Sequence, residues 1–179
     1  MWLAVLEMNQ FPEGYTDIPV DYINTRYLSD AFRARGVPEA HIYPFAGTLE
    51  RSDVRKAIGW LAERAGPEDF ALLYIGTHGT WVANHLRLEE WIAEALAVIP
   101  GTVFFILDSC NSGRYLPPDY TGDDYLLATA GKNELGWWGT EEEGLPILGS
   151  VWLYYFTEQV SAGGPLDVEE AVSLASERT

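Results

Sequence analysis

Short apolar runs alternate along the chain with segments whose apolar residues recur every three or four positions. Continuous apolar runs at 70–75 and 103–107 predict central strands that are buried on both faces, and residues 2–6 predict a third strand. Shorter runs at 41–43 and 125–129 predict two more. This alternation is typical of an α/β domain in which helices cover both faces of a mostly parallel sheet.

The first two helices are predicted from their caps and their apolar faces. Helix 1 is expected to follow Asp17 as its N-cap and to end at Gly36, and helix 2 is expected to be capped by Thr48 or Ser52. The apolar face of helix 1 comprises Val20, Ile23, Tyr27 and Ala31. The apolar face of helix 2 comprises Val54, Ile58, Leu61 and Ala65.

Three further helices are predicted in the second half of the chain. One covers 86–99, one runs through 148–156, and the last begins at Asp167 with Glu170 as its capping-box partner. The chain has 179 residues and 47% of them are hydrophobic, which is enough for a sizeable core. We therefore expect one domain over 1–179, with three α/β/α layers and a sheet of about six strands.

The charge balance argues against nucleic acid as a partner. The chain has 11 Lys and Arg against 27 Asp and Glu, a net charge of −16, so a phosphate-tracking surface is not expected and a charged ligand should be basic. Cys110 is the single cysteine and cannot form an internal disulfide. The apolar N-terminus, interrupted by Glu7, fails as a signal peptide, and no run is long enough for a membrane span. We expect a cytoplasmic protein with no membrane partner.

Two of the predicted buried strands lead directly into loops with reactive side chains. Thr-His-Gly at 77–79 follows one strand, and Asp-Ser-Cys-Asn-Ser-Gly at 108–113 follows the other. Because the carboxyl ends of neighbouring parallel strands share one crevice, His78 and Cys110 are expected to face each other as base and nucleophile. The N–H groups of Gly79 and Cys110 are candidates for an oxyanion hole.

These two blocks resemble those of the caspase–legumain clan of cysteine peptidases. The anchors are Leu-Tyr-Ile-Gly-Thr-His-Gly at 73–79 and Phe-Ile-Leu-Asp-Ser-Cys-Asn-Ser-Gly at 105–113, and the second is similar to the form found in metacaspases and prokaryotic caspase-like proteins. The resemblance implies a caspase-like α/β/α fold, a catalytic dyad of His78 and Cys110, and endopeptidase activity on a protein or peptide substrate.

The same resemblance bears on the residue preferred before the cut. Metacaspase-like enzymes have an Asp two positions before the nucleophile, and Asp108 occupies that position here. A carboxylate at the floor of the pocket, joined by a second one from Asp123, Asp124 or Glu134, would select Arg or Lys. Capping of the loop by Asp108 is the structural alternative.

Two groups of residues allow more than one interpretation. Trp81, together with Trp137 and Trp138, lines a substrate groove or belongs to the core. The acidic clusters at 119–124 and 141–143 are solvated loop charge, a funnel for basic substrates, or a Ca²⁺ site of the kind known in some metacaspases. We expect no metal and no cofactor, with calcium activation as the alternative.

Other functions remain open beside this one. A legumain-like peptidase or transpeptidase would cut after Asn and could use Arg26 in a pocket of mixed charge. A non-catalytic interaction module would keep the caspase-like fold and act with a regulatory partner or partner domain. The sequence argues against a phosphatase, because the residue six positions after Cys110 is Leu116, where an Arg is needed.

Overall fold

The computed structural model describes residues 1–18, 22–117, 120, 124–139 and 147–179. Its central sheet is parallel throughout, with the strand order β2-β1-β3-β4-β5. The strands are β1 (Trp2–Glu7), β2 (Ile42–Ala46), β3 (Phe70–Gly76), β4 (Thr102–Asp108) and β5 (Tyr125–Ala128). The predicted parallel sheet is confirmed, although the described residues give it five strands and not about six. A separate antiparallel pair consists of β6 (Trp138–Gly139) and β7 (Gly149–Ser150).

Helices cover both faces of the sheet, which confirms the three predicted layers. They are α1 (Ile23–Ala34), α2 (Arg51–Arg64), α3 (Gly79–Trp81), α4 (Ile92–Leu96), α5 (Val151–Ser161) and α6 (Val168–Arg178). Leu3, Val5 and Tyr74 face the layer of α1, α5 and α6, while Ala4 and Leu73 face the layer that contains α2 and α4. Within the described ranges, no helix is long and apolar enough to cross a membrane.

Helix α1 begins later than its sequence signals predict. Its first residue is Ile23, and Asp17 does not cap it. The Asp17 carboxylate instead accepts a hydrogen bond of 2.7 Å from the N–H of Phe11, within the loop formed by residues 9–18. Val20, which was predicted to lie on the inner face of this helix, is outside the described residues. The loop therefore uses the acidic side chain that the prediction gave to the helix.

The caps of α2 and α6 show how local signals compete. Glu50 caps α2 in a reciprocal capping box with Asp53, so the predicted caps Thr48 and Ser52 were wrong. A carboxylate at this position accepts the same orphan N–H as a hydroxyl does and also favours the helix dipole. The predicted cap of α6 is confirmed, because Asp167 accepts a 3.0 Å hydrogen bond from the N–H three residues later.

The predicted helix over 86–99 is broken into pieces. A π-helical turn (Val82–Leu86) continues directly from α3, a 3₁₀ turn (Leu88–Glu90) follows, and only then does α4 begin. Arg87, between the two turns, has a φ of 49°, in the left-handed region where a helix cannot continue. The apolar spacing was right for burial, but it could not reveal this backbone reversal.

The two edges of the sheet differ in their chemistry. Edge strand β2 contains Pro44, which has no N–H to offer a further strand. At the other edge, β5 has four residues, and Tyr125 is 46% exposed.

Within the sheet, β3 and β4 are neighbours in register, with Gly76 opposite Asp108. The loops that follow β3 and β4 therefore leave the carboxyl ends of these two strands side by side.

Candidate active site

The loops after β3 and β4 are in direct contact. The N–H of Thr77 donates a 3.1 Å hydrogen bond to the carbonyl of Asp108. Farther along, a Cβ at Gly79 would lie closer than 3.0 Å to the carbonyl oxygen of Cys110. Glycine at position 79 is therefore what lets the segment after His78 pack against the cysteine loop. The structure brings these two loops together at the carboxyl edge of the sheet.

The imidazole of His78 is held by a backbone group from a distant loop. Its Nε2 lies 2.9 Å from the carbonyl oxygen of Thr16, and the ring of Phe11 lies 4.7 Å away, between centroids. A carbonyl oxygen can only accept, so Nε2 carries the proton, and in the neutral ring Nδ1 has the lone pair. Thr16 could not be predicted from the sequence, because a backbone acceptor has no side-chain signature.

Cys110 is a half-buried free thiol two residues beyond the end of β4. The next residue, Asn111, has a φ of 56°, a left-handed conformation that asparagine tolerates better than most residues, and a 3₁₀ turn (Ser112–Arg114) follows. The buried hydroxyl of Ser112 donates to the carbonyl of Ala130 at 3.0 Å and accepts from its N–H at 2.9 Å. The cysteine therefore lies on a sharp turn that is fastened to the chain after β5.

A cavity of about 740 Å³ opens beside the cysteine loop. Gly136 belongs to its wall, and a Cβ on that residue would lie 3.5 Å from the nitrogen of Cys110. The polar and aromatic side chains that line it include Asp108, Thr129, Lys132, Glu134, Trp137 and Ser150. With two carboxylates and one ammonium group among these side chains, the lining has an acidic balance.

Asp108 is almost fully buried and is surrounded by hydroxyl groups. The hydroxyls of Tyr74 and Thr129 each donate to its carboxylate at 2.8 Å, and the hydroxyl of Ser150 also bonds it. Burial raises the pKa of Asp108 above its ordinary 3.8, and the three hydroxyl groups partly offset this. A Cβ at Gly76 would lie 2.6 Å from the Tyr74 hydroxyl, so glycine there lets the phenol reach Asp108.

A second buried carboxylate, Glu7 at the end of β1, escaped the sequence analysis. It accepts hydrogen bonds from the N–H and hydroxyl of Thr25, at 3.0 and 2.9 Å. Burial raises the pKa of Glu7 above 4.5, the bonds from Thr25 and Asn24 lower it, and the charge of Asp108 raises it further. The available signal is a glutamate directly after the apolar run 2–6, which by itself does not reveal that the side chain is buried.

The other predicted carboxylates do not all reach the cavity. Glu134 lines it, and its carboxylate accepts a 2.8 Å hydrogen bond from the N–H of Gly131. Asp124 instead accepts from the N–H of Val103 at 2.7 Å, near the start of β4 and so at the opposite end of the sheet. Its predicted place in the pocket was therefore wrong, because it ties β4 to the start of β5. Asp123 lies outside the described residues.

The tryptophans also divide between core and surface. Trp81 is 1% exposed and its indole N–H donates to the carbonyl of Leu49 at 2.7 Å, so the prediction that it lines a substrate groove was wrong. Trp137 is 67% exposed and lines the cavity, while Trp138 is half-buried at the start of β6. In the part of the chain that the structure describes, no three His, Cys, Asp or Glu side chains form a metal site, and residues 119 and 141–143 lie outside it.

Comparison with solved structures identifies the architecture. The crystal structure of caspase-1 from Spodoptera frugiperda is similar to this chain with a TM-score of 0.65 and 14% sequence identity. The similarity covers 98% of this chain and 77% of that chain. No protein-family model and no curated protein matches the sequence. The chain therefore has a caspase-like fold, as its two sequence blocks implied.

Proposed function

We propose that this chain is a cysteine endopeptidase in which Cys110 is the nucleophile and His78 is the general base and acid. The observation that carries the proposal is the packing of Gly79 against the carbonyl of Cys110, which joins the two reactive loops at one edge of a caspase-like sheet. If Gly79 served only to form a turn, its backbone would not need to lie this close to Cys110. The presence of both His78 and Cys110 in these loops favours an enzyme over an interaction module.

In the proposed reaction, Nδ1 of His78 accepts the thiol proton and the Cys110 thiolate attacks the substrate carbonyl. The carbonyl of Thr16 stabilises the imidazolium, because it accepts from Nε2–H while the ring is positive. We assign the N–H groups of Gly79 and Cys110 to the oxyanion hole. His78 then returns the proton to the leaving amine, and it activates the water that hydrolyses the thioester and regenerates the thiol.

We assign the cavity beside Cys110 to the side chain before the cut, and we infer a preference for Arg or Lys. Asp108 at its wall and Glu134 at its rim outnumber Lys132, and the net charge of −16 attracts cations. The metacaspase-like form of the cysteine block is consistent with this preference. The alternative preference for Asn loses support, because Arg26 is exposed on α1 and does not line the cavity formed by the described residues.

The dyad is tested by peptide hydrolysis with purified variants. Cys110→Ala and His78→Ala should each lower kcat/KM by at least about 10³-fold without loss of the folded state by circular dichroism. His41→Gln is the matched control, because His41 bonds the carbonyl of Met1 at the opposite end of the sheet. Turnover by Cys110→Ala would overturn the assignment. A thiol-directed peptide probe gives a second test on the wild type. If the probe labels the protein no faster than it labels free cysteine, the interaction module is favoured.

The pocket is tested with one peptide series that differs only in the residue before the cut. Arg or Lys should exceed Asp by about 10²-fold in kcat/KM, equivalent to about 2.7 kcal/mol, and Asp108→Asn should remove most of that ratio. Glu134→Gln serves as a second variant in case loss of the buried charge disturbs folding. Asp124→Asn is the control at the far end of the sheet. Faster cleavage after Asn or Asp than after Arg would refute the pocket assignment and leave the dyad intact.

A further inference from the structure

The loop formed by residues 9–18 carries the carbonyl that holds His78. Its base is closed by a 3.1 Å hydrogen bond from the N–H of Ile18 to the carbonyl of Asn9. Thr16 itself is exposed, so its carbonyl must hold the imidazole in competition with water. An exposed loop keeps such an acceptor in place only if contacts near its tip restrict its motion.

The residue next to Thr16 supplies those contacts. The hydroxyl of Tyr15 accepts a 3.1 Å hydrogen bond from the side-chain amide of Asn84 and lies 3.2 Å from Nε2 of His85. Both partners belong to the π-helical turn that follows the His78–Gly79 segment. The ring of Tyr15 also packs edge-on against Trp81, with 5.1 Å between centroids. The loop is thereby tied to the same stretch of chain that carries the imidazole.

The π-helical turn to which Tyr15 bonds is packed on the core through Val82 and Leu86. The ring of His85 is stacked on that of Trp81, at 3.8 Å between centroids and 19° between planes. Trp81 is buried and bonded to the carbonyl of Leu49. Tyr15 therefore bonds to His85, whose ring is stacked on a core side chain, and to Asn84, the preceding residue of the same π-helical turn. Turns of this kind are often found at functional sites.

We propose that Tyr15 is a positioning residue for His78, and that it acts through Thr16 by fastening the loop to Asn84 and His85. Its effect on catalysis rests on the proposed function, whereas its effect on the hydrogen bond between Thr16 and His78 does not. The hydroxyl group is the critical part, because phenylalanine would keep the contact with Trp81 and lose both polar partners.

The experiment compares Tyr15→Phe with Tyr154→Phe, which removes a hydroxyl that bonds Glu158 on the exposed side of α5. The readout is proton NMR of the histidine ring N–H groups, which measures their exchange with water. A role of Tyr15 in stability alone would not change this exchange at His78. In Tyr15→Phe, exchange of the His78 Nε2–H with water should accelerate at least about tenfold, because its acceptor is no longer held. The ring N–H of His41, which bonds the carbonyl of Met1, should not change and is an internal control.

Activity gives the second readout. Tyr15→Phe should lower kcat about tenfold with KM nearly unchanged, since the loss concerns the base and not the substrate pocket. Asn84→Ala should act in the same direction, and the double variant should be little worse than either single one. If Tyr15→Phe leaves His78 Nε2–H exchange within twofold of wild type, the proposal is wrong. If wild type has no peptidase activity, the proposed function fails while the NMR comparison still decides the role of Tyr15.

Discussion

Replacement of Gly79 by alanine tests the contact on which the candidate site depends. A Cβ at residue 79 would lie closer than 3.0 Å to the carbonyl oxygen of Cys110 and 3.1 Å from its carbonyl carbon. Both are backbone atoms, so the overlap is relieved only if the two loops separate by on the order of 1 Å. Overpacking of this kind costs about 2–3 kcal/mol, which for a chain of this size lowers Tm by about 4–12 °C. A displacement of that size between reacting groups should lower kcat by about 10²-fold.

The assay combines thermal unfolding with steady-state peptide hydrolysis. Gly59→Ala is the matched control, because Gly59 lies inside α2 and a Cβ there would meet nothing within 4 Å. That variant should gain up to about 1 kcal/mol in stability from helix propensity and keep full activity. If Gly79→Ala kept the wild-type Tm and at least half of the wild-type kcat, the close approach of the two loops would not be what positions the site.

Two further predictions concern burial. Trp81→Ala should lower the free energy of unfolding by about 3–5 kcal/mol, because this side chain is buried. The exposed Trp137→Ala should lower it by less than about 0.5 kcal/mol. Urea titration measures both, and equal losses would contradict their placement. Burial raises the pKa of Glu7, so the folded chain binds this proton more tightly than the unfolded chain and stability falls as pH rises from 4.5 through the folded-state pKa. Glu7→Gln should remove that part of the fall and the exposed Glu13→Gln should not, whereas parallel pH profiles for the two variants would refute the argument.

The elements of this fold could be predicted where one period dominates a segment. The apolar runs that became β3 and β4 are buried on both faces, and no polar residue interrupts them. The single helix predicted over 86–99 was wrong, because apolar spacing indicates burial but not a continuous helix. The left-handed conformation of Arg87 separates a π-helical turn from the 3₁₀ turn and α4 that follow. Dihedral angles of single residues leave little trace in a hydrophobic pattern.

The candidate site shows a similar division. Cys110 and His78 could be predicted because each follows a strong strand signal, and strand order then brings their loops together. The environment of Asp108 could not, since Tyr74 lies in mid-strand and Ser150 lies 42 positions away in the sequence. The Thr16 carbonyl was invisible for a different reason, because every residue has one. Contacts made by backbone groups and by distant hydroxyls depend on the folded chain and not on local spacing.

The unequal edges of the sheet affect how this protein behaves when it is concentrated or refolded. Strand addition at β2 is opposed by Pro44. Among the described residues, β5 is the other outer strand, and it has neither proline nor lysine to oppose pairing with another chain. The short length of β5 and the repulsion between chains of charge −16 are what oppose such aggregation. Repulsion vanishes near the isoelectric point of about 4.3. Acid is therefore the condition in which intermolecular association through β5 is favoured, and a preparation kept at neutral pH and low salt has the best colloidal stability.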